Sequence, residues 1–318
     1  MIELSTRASV AASLHDAGSA GVSGEAIAGR LGISRASVNA HVAALRALGY
    51  EIASSSRVGY RLVSAPDSCI PEEVGPRLRD PLWVSCTGGE ELTSTNDEAK
   101  RRARAGAPEG TVVVAARQTA GRGRFDRSWE SPAGGAYVSC VLRPPLPPAS
   151  LGPLPLVAGV GVAHGCAALG LDVRLKWPND VELEGRKLAG ILLEMTAEAD
   201  RAEWVVLGCG INVAGVPHER AASIRERLPS VQVADVAAAV LDGIAAMYRR
   251  FLAEGFDPLR ERYVARLRTR GASVAVRDAA GTLVAEGTVL GVGETGELLL
   301  DSGGRTVRVA AGEVTLRA

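Results

Sequence analysis

The 318-residue sequence carries no net charge, because 36 lysines and arginines balance 36 aspartates and glutamates. A field spread over the whole surface is thereby excluded, and a nucleic-acid partner would have to be read by a local patch. Cysteine is scarce and odd in number: Cys69, Cys86, Cys140, Cys166 and Cys209 are widely spaced. Most sit in apolar contexts, which fits inert buried thiols in a reducing cytoplasm rather than a disulfide framework. The four histidines (His15, His41, His164, His218) show no metal-ligand spacing, so no structural zinc is expected. Met1 to Arg7 lacks an apolar signal region, and no export is expected. No internal repeat or low-complexity tract is present. The most apolar stretch, Leu154 to Leu171, holds Pro155 and His164, with five glycines between Gly152 and Gly170. It reads as a core helix, not a membrane span. With 47% hydrophobic and 23% charged residues, the chain is an ordinary globular protein of two or three domains.

What is present centres on Ala116 to Trp129, where Gly121 and Gly123 interleave with Arg117, Arg122, Arg124 and Arg127. The β-branched run Thr111–Ala115 precedes this loop, and a second strand-like run, Ala136–Leu142, follows it. Glycines permit positive φ and a close backbone approach. Bare amides make an anion nest, and guanidinium groups add bidentate phosphate contacts. The loop reads as an anion site. A flexible basic hairpin or an RNA-binding Arg-Gly segment is the plainer alternative.

Residues 1–65 form a first unit. Ala8–Leu14 reads as a helix, and Ser23 caps a second, Gly24–Leu31. Gly32-Ile33 makes a turn, and Ser34 caps a third helix, Arg35–Leu48, with Val38, Val42, Leu45 and Leu48 at helical spacing. This is a helix-turn-helix pattern followed by a two-stranded wing, Glu51–Ala53 and Gly59–Val63. Six arginines face four acids in these residues, an excess of two positive charges. The expected role is operator binding, with Arg35, Ser37 and Asn39 near bases and Arg57 near phosphates. The competing reading is a winged helix used for protein contacts.

A polar linker, Ser64–Ser68, leads to a larger domain, 66–270. Leu82–Cys86 is expected as a strand and Glu98–Ala105 as a helix, with Ser94-Thr95-Asn96 as plain capping residues. A strand ends at Lys176-Trp177-Pro178-Asn179-Asp180, and the tight return at Gly185 is expected to put Lys176 and Lys187 on neighbouring strands. Trp204–Leu207 is another strand, leading into Gly210-Ile211-Asn212-Val213. Val236–Leu252 is an amphipathic helix with Val240, Ile244, Met247 and Phe251 inward. Residues 271–318, short strands split by Gly and Asp turns, read as a small β-barrel.

Five segments occur in a telling order. They are Thr93–Asn96, Gln118 with Gly121–Arg124, Lys176–Asp180, Gly185–Leu192 and Gly210–Val213. Together they resemble the biotin protein ligases, and the winged helix in front resembles the bifunctional members that also repress the biotin operon. The resemblance covers essentially the whole chain. It implies an α+β fold, with an N-terminal winged helix-turn-helix, a central mixed-sheet ligase domain and a C-terminal small β-barrel. It also implies the chemistry: biotin and ATP give biotinyl-5′-AMP, and biotin then passes to a lysine of a biotin carboxyl carrier domain. Mg²⁺ accompanies ATP without a permanent metal site.

Carried over by motif, Ser94, Thr95 and Gln118 hydrogen-bond the ureido ring, which reverses the capping preference. Gly121, Arg122, Gly123, Arg124 and Arg127 wrap the adenylate. Asn212 meets the adenine, and Lys187, helped by Arg186, meets phosphate. Lys176 and Arg122 are the catalytic pair, with Lys176 bridging the biotin carboxylate and the α-phosphate. Asp180 is a weaker candidate base for transfer. Electrostatics agrees, since a fixed cation relieves the repulsion between two anions that must react. Phe125-Asp126-Arg127 stands where many members have a glycine before the last arginine, which bears on loop ordering. A cytoplasmic homodimer in the adenylate-bound state, spanning half-sites about 34–36 Å apart or a multiple, is the regulatory corollary. The rival readings are a lipoate ligase, which lacks this motif pair, a repressor without ligase activity, and a ligase with a vestigial winged helix.

Overall fold

Short polar caps build the first unit. A computed structural model of the chain describes residues 2–125, 127–198, 200–215 and 221–316. The Ser5, Ser23 and Ser34 hydroxyls accept backbone N–H groups three residues on, at 3.1, 3.0 and 3.0 Å. They start α1 (Thr6–Ala17), α2 (Gly24–Leu31) and α3 (Arg35–Ala47). Val10, Leu14, Ile27, Val38, Val42 and Leu45 close one small core beneath these helices. β1 (Glu51–Ser55) and β2 (Gly59–Ser64) pair antiparallel as the wing.

After the linker comes α4 (Pro71–Val74), a turn of helix that hydrophobic patterning did not reveal because it exposes no periodic face. Its Glu72 and Glu73 are buried charges, and both find partners in the winged unit. Arg7 Nε donates to Glu72 at 2.7 Å. Tyr50 OH donates to Glu73 Oε1 at 2.5 Å, and His15 Nε2 lies 2.9 Å from the same oxygen. Arg77 Nη1 binds the other oxygen at 2.9 Å. Burial acts to raise the Glu73 carboxyl, but the His15 and Tyr50 hydrogen bonds and the His15 and Arg77 charges hold it below its ordinary range.

The central unit runs β3 (Ser85–Leu92), α5 (Thr95–Arg104), β4 (Thr111–Gln118), β5 (Gly135–Leu142), α6 (Leu154–Ala168), β6 (Arg174–Lys176), β7 (Asp180–Leu183), β8 (Arg186–Glu198), β9 (Arg201–Asn212), α7 (Val233–Glu254) and α8 (Asp257–Arg266). Its strands form one mixed sheet in the order β3-β4-β5-β9-β8-β7-β6. β3 and β4 run parallel around α5, and every other neighbouring pair is antiparallel.

Strand alternation gives the sheet two apolar faces. Val113, Val141 and Val206 meet Ala99 and Ala103 of α5. Val112, Val114, Cys140 and Leu207 belong to the large core that also holds α6 and α7. Those two helices touch backbone to backbone, since a Cβ on Gly161 would lie 2.6 Å from Ile244 Cα. The expected apolar stretch is therefore core. Pro148–Ala168 is long and apolar enough to cross a membrane, yet its most apolar window is 72% buried inside the protein. All five cysteines are free and buried. Burial pushes the Cys69, Cys140 and Cys166 thiols up to about 12.

Four expectations change. The strand expected at Leu82–Cys86 begins only at Ser85, because Trp83 turns inward and its Nε1 donates to Asp242 at 3.0 Å. The helix expected from Glu98 begins at Thr95, with Ser94 as its cap. Lys176 and Lys187 are not on neighbouring strands: β7 lies between β6 and β8, so each lysine pairs with a different β7 residue, Asp180 and Glu182. The C-terminal unit is an open sheet rather than a closed barrel. Its strands are β10 (Ser273–Arg277), β11 (Leu283–Val292), β12 (Leu298–Ser302), β13 (Arg305–Val309) and β14 (Glu313–Leu316). They follow the order β13-β12-β11-β10-β14, and among the described residues no pairing joins β13 to β14. The last strand, absent from the sequence reading, turns toward the central unit instead.

Candidate active site

Ends of the central strands and the Gly-Arg loop surround one cavity of about 260 Å³. Its walls bring together Ser94, Thr95, Gln118, Arg122, Gly123, Arg124, Arg127, Lys176, Asp180 and Lys187. These come from six separate stretches of chain, so the sheet is what assembles them.

One end is lined with neutral polar groups. Ser94 is the N-cap of α5, and its hydroxyl lies a long 3.4 Å from the Asp97 amide. Thr95 donates to Gln118 Oε1 twice, from its amide at 2.7 Å and its hydroxyl at 3.1 Å. Gln118 Nε2 then donates to Ser131 at 2.8 Å. Ser139, fully buried on β5, lies 2.8 Å from Thr95 Oγ1 and 2.7 Å from Asn96 Oδ1. Ser131, in a polar loop, and Ser139, within an apolar strand, carry no distinguishing pattern in the sequence.

The loop is a tight hairpin. Gly123 N donates to Arg127 O at 2.7 Å, and Trp129 N donates to Gly121 O at 2.9 Å. Two amides of the expected nest are thus spent across the loop. Nor do its glycines supply positive φ; Phe125 does, at 56°. Gly121 is required for space, because a Cβ there would lie 2.4 Å from Trp129 O. Asp126 lies outside the described residues. Trp129 anchors the loop on the sheet, where a Cβ on Gly210 would meet its Nε1 at 2.5 Å. The Lys187 ammonium sits 5.1 Å from the Trp129 ring centroid, a cation–π contact.

Five cations line the cavity, and they fall into two groups. Arg122 is paired with Asp97 at 3.1 Å and Glu194 at 3.2 Å. Arg127 is paired with Glu313 of β14, and Lys187 with Asp180 at 2.7 Å. Among the described residues, neither Lys176 nor Arg124 has an ion pair; Arg124 reaches the neutral Asn179 Oδ1 at 3.4 Å and lies 4.7 Å from the Phe125 ring centroid. Burial depresses the Arg124 guanidinium below its ordinary value, with the Glu313 and Asp180 charges opposing. Two cations with no ion pair among the described residues, in one crevice, call for an anion. Trp177, next to Lys176, donates its Nε1–H to Gly296 O at 2.9 Å, tying this edge to the C-terminal sheet.

Three expected contacts, Gly121, Asn212 and Arg186, are not on the cavity wall. The Asn212 amide donates to Ala222 O at 3.1 Å and Lys187 O at 3.4 Å. Arg186 turns to Ala221 O at 3.0 Å and to Glu226. Glu313, Val314 and Thr315 are on the wall, although no sequence signal marked them. In the winged unit, Arg35 and Asn39 are exposed at the start of α3, Ser37 is half-buried, and Arg57 is exposed at the tip of the wing. Asn39 Oδ1 accepts from Tyr60 OH at 3.3 Å, linking α3 to the wing.

Residues 88–212 match the biotin/lipoate A/B protein ligase family, and residues 10–61 match a helix-turn-helix domain. Over 311 residues the chain is 34% identical to the bifunctional ligase/repressor BirA of Bacillus subtilis, covering 94% of this chain and 95% of that one. The chain belongs to the biotin/lipoate protein ligase family. The bifunctional ligase/repressor BirA of Escherichia coli is 31% identical, with 93% of each chain covered. The biotin–[acetyl-CoA-carboxylase] ligase of Mycobacterium tuberculosis is 36% identical over 257 residues, covering 74% of this chain and 93% of that one. Among solved structures, the biotin protein ligase of Aquifex aeolicus, in complex with biotin and ATP, superposes with a TM-score of 0.64 at 29% identity. That match covers 73% of this chain and 98% of the other. The family match thus lies within the central unit, and the bifunctional relatives match over nearly the whole chain.

Proposed function

We propose that this chain is an ATP-dependent biotin protein ligase. It forms biotinyl-5′-AMP, transfers biotin to a lysine of a carboxylase carrier domain, and acts as a biotin-responsive repressor. The observation that carries the chemistry is the pair of cations without an ion pair among the described residues, Lys176 and Arg124, beside a neutral hydrogen-bonding end. A ureido ring fits the Ser94–Thr95–Gln118 end, because it both donates and accepts, as these groups do. The biotin carboxylate then points toward Lys176. Its oxygen attacks the α-phosphorus of ATP and pyrophosphate leaves. Lys176 offsets the repulsion between the two anions, and Arg124, pulled partly out of water, holds the phosphate.

In the second step the carrier lysine amine attacks the acyl carbon, the amide forms and AMP departs with its charge held by the same cations. Positioning supplies much of the rate, since fixed reactants reach effective molarities of roughly 10⁵–10⁸ M. Asp180 is ion-paired to Lys187, so its role as a base requires that pair to open. Mg²⁺ enters with ATP as part of the substrate. Residues 1–65 serve as the DNA-binding unit, 66–270 as the ligase unit and 271–318 as the β-unit that closes the cavity. Arg35, Ser37 and Asn39 are assigned to operator bases and Arg57 to phosphate. The working state is a cytoplasmic protein that pairs as a homodimer when it holds the adenylate.

The test is ATP-dependent transfer of biotin, with lipoate as the competing acid, to a carrier domain followed by mass. Biotinylation that depends on Lys176 supports the reading, whereas lipoylation, or equal turnover by Lys176→Ala, overturns it. Gel shifts on the protein's own biotin-gene promoter, with and without biotinyl-AMP, test the repressor half; indifference to the adenylate removes it.

A further inference from the structure

Three residues outside the assigned motifs surround Arg122. Asp97 and Lys100 lie on the first two turns of α5, and Glu194 lies on β8. Lys100 Nζ lies 2.8 Å from Asp97 Oδ1 and 2.9 Å from Glu194 Oε1. These are the same two oxygens that the Arg122 guanidinium engages. The four side chains therefore close a ring of alternating charge, Asp97–Arg122–Glu194–Lys100. Its inner members are shielded, with side-chain exposures of 13% for Lys100 and 21% for Glu194. The remaining Glu194 oxygen accepts from Asn96 Nδ2 at 2.9 Å, so the ring is keyed to the turn that carries Ser94 and Thr95.

A ring with two positive and two negative charges leaves Arg122 little free charge for a phosphate. What it supplies is a fixed seat for one limb of the loop. Arg122 pairs with Ser128 across the hairpin, and Gly121 is already pinned against Trp129. A salt-bridge network of this kind holds geometry better than an isolated exposed pair does. The two cations assigned to the chemistry, Lys176 and Arg124, are not part of it.

We infer that Asp97, Lys100 and Glu194 are positioning residues that seat Arg122 and hold the Gly-Arg loop down, so that they govern retention of the activated intermediate. This rests on the ligase reading. The loop is fastened to the helix that begins the biotin-binding end, so closure over the nucleotide and order around the vitamin are one event. Arg122 accordingly acts as the clasp of the loop, not as a second phosphate ligand.

The variant is Glu194→Gln, which keeps the shape and an acceptor for Asn96 while removing the charge. Enzyme loaded with labelled biotinyl-AMP is diluted into unlabelled biotin and ATP without carrier, and release is followed. Release about tenfold faster than wild type is expected. Arg122→Gln should speed release comparably, and the double variant should be no faster than either single one, because both remove the same coupling. Wild-type release should also quicken with salt, and that of Glu194→Gln should not. Release at the wild-type rate, or additive effects in the double variant, overturns the inference.

A ligand-free readout separates this from the ligase reading. Trypsin should cut after the loop arginines faster in Glu194→Gln and in Asp97→Asn than in wild type. Equal cutting overturns the seat whatever the activity. Absence of adenylate in the wild type would sink the ligase reading and leave the proteolysis result to stand alone. Circular dichroism of each variant confirms that the fold is intact before either comparison.

Discussion

The two ends of the cavity solve opposite problems. At the Thr95–Gln118 end every polar group shown has a protein partner before any ligand arrives, through bonds of 2.7–3.1 Å that run on to Ser131 and Ser139. At the Lys176–Arg124 end, the described residues supply no carboxylate partner to either cation. A prewired end fixes orientation and discriminates by shape, because its mutual hydrogen bonds lock the side chains that a ligand must fit. An end with unpaired cations holds an electrostatic demand that only an anion meets, and it meets developing charge without rearranging. Division of labour within one crevice follows from which side chains were given partners.

The largest effect should come from Lys176→Ala. Loss of about 10²–10³-fold in the rate of adenylate formation is expected, as for removal of one preorganised electrostatic group. Stopped-flow detection of pyrophosphate reads it, and a loss confined to KM for biotin would break the comparison. Arg124→Gln comes next: a charge-assisted contact is worth about 1.5–3 kcal/mol, so KM for ATP should rise at least tenfold with little change for biotin. Steady-state kinetics at two salt concentrations checks this, the difference from wild type shrinking as salt rises.

Thr95→Val strikes the prewired end. It takes one of two partners from Gln118 Oε1 and from Ser139, which keep the residue-95 amide and Asn96; the cost is about 0.5–1.5 kcal/mol, and calorimetry should show it in biotin affinity alone. Equal damage to ATP binding would mean the two ends are not separable. The smallest effect belongs to Glu313→Ala, which removes an exposed partner of Arg127. Such pairs are worth about 0–1 kcal/mol, so adenylate release should rise less than about fivefold.

Much of this was legible in the chain because local physics dominates there. Serine caps before periodic apolar runs marked α2 and α3, and Gly121–Arg124 with Lys176–Asp180 marked the cavity. Where tertiary pairing decides, the residues were silent. Glu313 pairs with Arg127 across 186 residues of sequence, and nothing local announces that. Leu82-Trp83-Val84 reads as strand, yet the indole prefers Asp242 on α7, so the strand starts later. Lys176 and Lys187 looked adjacent because the Gly185 turn is visible, but that turn joins only β7 to β8. The carboxylate partners of Arg122 lie on α5 and β8, which sequence spacing does not align with it.

Glu72 and Glu73 carry a consequence for how DNA is met. Arg7, His15 and Tyr50 all close on these two carboxylates, so the reading head is bolted to the catalytic body at three points instead of trailing on a tether. In the homodimer proposed above, the gap between the two recognition helices would then be dictated by how the bodies abut. Operator pitch becomes a dimension of the enzyme, and lengthening Ser64–Ser68 would not retune it while those bolts hold.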